Sequence, residues 1–83
     1  MFHIREDYNR IQDPENKIPD DEPVFLIRGQ DKVAAQVVDY YAMCAAKAGA
    51  SLELVSMCHE QARNIRIWQA ENKRKIPDLP KES

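Results

Sequence analysis

Arg28-Gly29-Gln30-Asp31-Lys32 places a guanidinium, an amide, a carboxylate and an ammonium within five consecutive residues. Arginine donates through a planar fork that suits phosphate and carboxylate, lysine supplies a point charge, and the amide and carboxylate can read polar edges. A helix opening at Asp31 would add its unpaired backbone amides and the positive end of its dipole. The segment is therefore suited to holding a small anion. Arg5, Tyr8 and Arg10 form a second polar group in an N-terminal arm. If the arm folds back over the junction, Arg28 and Arg10 (or Arg5) contact phosphate, Tyr8 stacks on a base, and Gln30 or Asp31 reads polar edges. A structural role is equally compatible with these residues. Arg28 would then pair with Asp31, Asp20 or Asp21, Gly29 would make a bend with angles other residues avoid, and the arm arginines would sit in weak surface ion pairs. A full Gly-rich phosphate loop is absent, so both roles stay open.

The other reactive side chains are less ordered in sequence. Cys58-His59, with Cys44 and His3 elsewhere, lacks the paired spacing of a structural zinc site, and adjacent helical residues point about 100° apart. Cys58 is expected to be buried and structural, His59 partly exposed, and no metal or cofactor is expected. No serine, cysteine or carboxylate pair comes with a recognisable base and oxyanion donor, so an enzyme is not expected. Tyr40 and Tyr41 fall on adjacent helical directions, one expected inward and one near solvent. Trp68 beside Arg66 either shields a hairpin rim or, with Tyr40, anchors a partner protein.

Two helices must position these groups. Asp31 is suited to cap the first, over about 31–48, with Val33 or Ala34, Val37, Val38, Tyr41, Ala45 and Ala48 as its apolar face and Gly49 as its stop. Ala42, Ala45 and Ala46 allow a neighbouring helix to come close. Ser51 caps the second, over about 51–75, with Glu53 in its first turn, Lys73, Arg74 and Lys75 in its last, and Pro77 beyond. Its stripe is Leu52, Val55, Cys58, Ala62, Ile65 and Gln69, with Leu54 and Trp68 at the margins. A short Gly49-Ala50 link makes the pair an antiparallel hairpin. Before it, acids and Pro23 lead into Val24-Phe25-Leu26-Ile27, a short helix or strand over about 21–28, with helix preferred. Residues 1–19 form an irregular arm, pinned by Phe2, Ile4, Tyr8, Ile11 and Ile18. The fold class is thus mainly α in one small domain, with a helical body over 20–76 and a polar tail over 77–83 that Leu79 can anchor.

Composition narrows the partners. Residues 1–31 hold eight acids against four bases and the remainder six acids against eight bases, an imbalance unsuited to duplex nucleic acid. Two cysteines, with no signal peptide and no apolar run of about 18 residues, point to the cytoplasm, reduced thiols and no membrane span. Eighty-three residues give a small core, so a homo-oligomer is a further expectation; it would let two anion-binding clusters surround one ligand.

The residues Phe2-His3-Ile4-Arg5, Asp7-Tyr8, Arg10-Ile11-Gln12-Asp13-Pro14, Ile18-Pro19, Asp21-Glu22-Pro23-Val24-Phe25-Leu26 and Arg28-Gly29-Gln30-Asp31 carry a resemblance. The chain resembles a group of small uncharacterised proteins of tailed phages and prophages. The resemblance implies a phage accessory protein acting on its host by binding: a protein that counters host immunity by sequestering a small anionic, nucleotide-derived signal. The alternative is an inhibitor or adaptor of a host protein that works through the hairpin surface; a virion assembly part is a third role.

Overall fold

The computed structural model describes Met1, residues 3–8 and residues 12–79. The chain divides into two compact units, Met1–Ile27 with Asp78–Ser83, and Arg28–Pro77.

The second unit is the helical hairpin. Helix α1 spans Ala34–Lys47 and helix α2 spans Leu52–Glu71, and the two pack against each other. Their link is short because both ends are capped within it. Gly49 takes a φ of 94°, which a side chain resists, while Gly49 N donates to Ala46 O at 3.1 Å and Ala50 N to Ala45 O at 2.9 Å. That pair of bonds is a Schellman stop. Ser51 then accepts from Leu54 N at 3.1 Å and opens α2.

Packing uses small side chains. Ala34, Ala35 and Ala42 of α1 are buried, as are Ala62 and Ile65 of α2. The interface on α1 is therefore rotated from the expected stripe: Val37 and Tyr41 are exposed, and Ala45 is half-buried. Alanines win the interface because they let the helix axes come closer than valine and tyrosine would. Tyr40 and Tyr41 are both exposed, so neither packs inward. On α2 the expected stripe holds from Val55 to Gln69, with Val55, Cys58 and Gln69 half-buried, but Leu52 in the first turn is 86% exposed.

Three expected boundaries move. The first helix starts at Ala34 rather than Asp31, behind Val33, which makes no side-chain cap. Asp31 is occupied in a turn: its N donates to Arg28 O at 3.0 Å, and its carboxylate accepts from Arg28 N at 3.3 Å. The second helix ends at Glu71, because Asn72 turns extended and its side-chain amide caps Trp68 O at 2.8 Å. Lys73, Arg74 and Lys75 are thus outside the helix. Lys75 instead forms a parallel bridge with Asp31, donating to Gln30 O at 2.8 Å and accepting from Lys32 N at 2.9 Å. Finally, residues 24–28 form neither the expected helix nor a strand. Four apolar residues between Pro23 and the Arg28 turn are too few to nucleate a helix.

In the first unit, a 3₁₀ turn covers Glu6–Tyr8. His3 is 4% exposed, with its ring against Tyr8 (5.2 Å between centroids) and Phe25 (4.6 Å), and its Nδ1 accepts from Arg5 N at 2.9 Å. Asp13 organises a second turn by accepting from Lys17 N at 3.0 Å and Ile18 N at 2.9 Å. The terminal amine of Met1 donates to Pro19 O. Ile4 and Leu79, expected to anchor the arm and tail, are mostly exposed; Phe2 and Ile11 lie outside the described residues.

Candidate functional site

A polar concavity of the hairpin lies where the start of α1 meets the end of α2. An antiparallel pair brings residues equally far from the loop side by side, so Lys32, Gln36, Arg66, Gln69 and Arg74 line one cleft of about 530 Å³ above Ala35 and Ala70. No carboxylate is among these lining residues, and the volume falls within the range of small-molecule sites. The two alanines leave room at the floor. Ala35 and Gln36 belong to the first turn of α1, so the positive end of that helix dipole adds to three cationic side chains.

A second group of side chains orients one of the cations. Arg66 Nη2 donates to Asp39 Oδ2 at 2.6 Å, while Asp39 Oδ1 lies 2.8 Å from His59 Nδ1. The hydrogen bond from His59 first, and that from Arg66 second, hold the Asp39 carboxyl below its usual range. Arg66 retains further N–H donors for a ligand. Lys32 and Arg74 make no side-chain ion pair among the described residues, and both are exposed.

Gln69 fixes the wall of the cleft. Its amide donates to Gly29 O at 2.8 Å and to Asp31 O at 2.9 Å, which ties the 28–31 turn to α2. Gly29 has no positive φ, and a Cβ there would meet Trp68 Cε3 at an ordinary 3.9 Å. Its freedom is not what makes the bend; the Asp31 hydrogen bonds are.

The expected anion-binding residues are placed as follows. Arg28, Gln30, Asp31 and Lys32 share the turn, but only Lys32 lines the cleft. Arg28 engages Asp31 through its backbone amide, and its guanidinium makes no hydrogen bond among the described residues. Gln30 and Asp31 are half-buried and spend main-chain groups on Lys75 and Gln69. In the N-terminal unit Arg5 lies over the Tyr8 ring at 4.1 Å and grips Asp7 through two bonds, at 3.0 and 2.5 Å. It also donates to Asp78 O at 3.0 Å. The Asp7 hydrogen bonds raise the Arg5 pKa against the opposing effect of burial. Arg10 lies outside the described residues.

Arg66 and Trp68, expected to act together as partner anchors, lie on opposite flanks of α2. Two helical steps separate them by about 200°, and Arg66 is turned to Asp39 while Trp68 lies beside Gly29. Sequence spacing does not bring Gln36, Gln69, Arg66 or Arg74 together with Lys32; the cleft does. Cys58 is half-buried, and both cysteines are free thiols. Among the described residues, no helix is long and apolar enough to cross a membrane. No protein-family model matches the chain, and neither a curated protein nor a solved structure does.

Proposed function

We propose that the cleft between Lys32 and Arg74 binds a small, phosphate-bearing, nucleotide-derived signal and sequesters it without chemistry. The observation that carries this proposal is the convergence of Lys32, Arg66 and Arg74 on one concavity with no carboxylate in its lining. Phosphate oxygens would take charge-assisted bonds from the three cations, with Arg66 held in place by Asp39. Gln36 offers an amide that can read a base edge or a ribose hydroxyl. Catalysis has no support in the lining, which lacks a nucleophile and a general base.

The biological setting rests on the resemblance of the chain, densest before residue 32, to small phage proteins. In that setting the protein is a phage accessory factor of the host cytoplasm that lowers the free concentration of an immune signal. Calorimetric titration of the purified chain with cyclic mononucleotides, cyclic dinucleotides and cyclic ADP-ribose isomers tests it. Saturable heat with one of them, abolished in a Lys32→Glu, Arg74→Glu double variant, is the expected result. Absence of heat with every ligand at protein concentrations above about 10 μM would remove sequestration of these signals as the function.

A further inference from the structure

The flank of the hairpin turned away from the cleft is apolar along its centre. Asp39 meets His59 and Arg66, so these three residues define one side of the antiparallel pair. Turning about 100° the other way from the interface, by helical geometry, brings Val33, Val37 and Tyr41 of α1 onto the same flank as Leu54, Met57 and Trp68 of α2. All six are exposed, Tyr41 to 59%, Met57 to 58% and Trp68 to 45%. The polar side chains between them, Gln61 and Asn64, hydrogen-bond each other at 3.3 Å. None of these eight side chains is charged, in a chain whose residues are 31% charged; Glu53, Glu60 and Glu71, each one helical turn from Met57, Asn64 or Trp68, border the strip.

We infer that this flank is the contact surface for a second copy of the same chain, two hairpins closing into a four-helix arrangement about a two-fold axis. Self-association requires a patch that meets itself without like-charge repulsion, which an uncharged strip satisfies. Burial points the same way. The core among the described residues consists of four alanines and one isoleucine, and no large side chain is fully buried. The six flank side chains expose on the order of 600 Å² per copy, so a pair has up to about 1,200 Å² to bury, the lower end of the range of specific interfaces. Association through this flank leaves both clefts on outer faces. Each copy then holds its own ligand, rather than two clusters sharing one.

Sedimentation equilibrium of the full chain tests the inference, with emission from Trp68, the single tryptophan, as an independent readout. The expected mass at tens of micromolar is twice the chain mass of 9.6 kDa. Dilution should shift Trp68 emission to longer wavelength in step with the fall in mass. Tyr41→Lys and Met57→Lys, exposed positions on different helices, should each restore the single-chain mass while the helical circular dichroism persists. Lys47→Glu and Arg63→Glu, off the strip, should keep the doubled mass. A single-chain mass for the unaltered protein up to about 200 μM, whatever other protein it captures, overturns the inference. So does dissociation without any change in Trp68 emission, or a doubled mass that survives both flank substitutions.

Discussion

Gln69 and Gly29 are joined across forty residues by a hydrogen bond from side-chain amide to main-chain carbonyl, at 2.8 Å. The same amide reaches Asp31 O at 2.9 Å, so one side chain satisfies two carbonyls of the turn that carries Lys32. Backbone acceptors in partly buried positions are costly to leave unpaired. Gln69→Leu keeps the bulk and removes both donors. The expected loss is about 1–2 kcal/mol, read as a drop of roughly 5 °C or more in the thermal midpoint. Arg63→Ala, which removes an exposed side chain of the same helix away from the turn, should change stability by no more than about 0.5 kcal/mol.

The two glycines separate by the same logic of backbone demand. Gly49 sits at a φ of 94° with nothing within 4 Å of an added Cβ, so any penalty there is conformational rather than steric. Gly49→Ala is expected to cost about 1 kcal/mol in a denaturant titration. Gly29 has neither a positive φ nor a tight neighbour. Gly29→Ala should be neutral or slightly stabilising, because alanine narrows the unfolded ensemble. A larger loss at Gly29 than at Gly49 would contradict this assignment of roles.

How far the sequence leads follows from these same residues. Ser51, Gly49 and the apolar spacing of α2 act locally, so the hairpin and its loop are legible in the order of residues alone. Asp31 is different. Its carboxylate and carbonyl are consumed by Arg28 and Gln69, and the second partner lies too far along the chain for local capping rules to anticipate. Lys73, Arg74 and Lys75 look like a favourable last helical turn, yet Asn72 and the bridge to Gln30 and Lys32 draw them away from the helix. Lys32 is recognisable from its neighbours as part of a cationic group. Arg66 and Arg74 join it only because the hairpin is antiparallel, and combining that topology with the charge positions would locate them.

Asp39 gives the hairpin a pH dependence whose sign is fixed. The hydrogen bonds from His59 and Arg66 depress its pKa in the folded state. A depressed carboxyl contributes stability that is present above its unfolded value of about 3.9 and is lost as pH falls through the lower folded value. Asp39→Asn should therefore lower the thermal midpoint at neutral pH. The gap to the unaltered protein should close as pH drops below about 4, the unfolded carboxyl value. The pair is solvent-exposed, so the gap is expected to be small and to shrink in added salt. A gap that widens toward acid would reverse the sign assigned to Asp39.

Charge in the cleft yields the prediction closest to function. Lys32 and Arg74 are exposed and carry no internal ion pair among the described residues, so replacing them would remove the proposed ligand contacts while leaving the fold's own bonds in place. Arg66 is different, since Arg66→Ala also strips Asp39 of a partner at 2.6 Å. A charge-assisted bond to phosphate is worth about 1.5–3 kcal/mol. Lys32→Ala or Arg74→Ala should therefore each weaken binding of a nucleotide-type ligand about ten- to hundredfold, with the thermal midpoint nearly unchanged. Asp39→Asn should weaken binding less, because it loosens the orientation of Arg66 and deletes no cation. Arg28→Ala should leave affinity unaltered, since Arg28 does not line the cleft. Calorimetry on the four variants distinguishes this site from the 28–31 turn itself: if Arg28→Ala abolished binding while Arg74→Ala did not, the ligand would sit on the turn and not in the cleft.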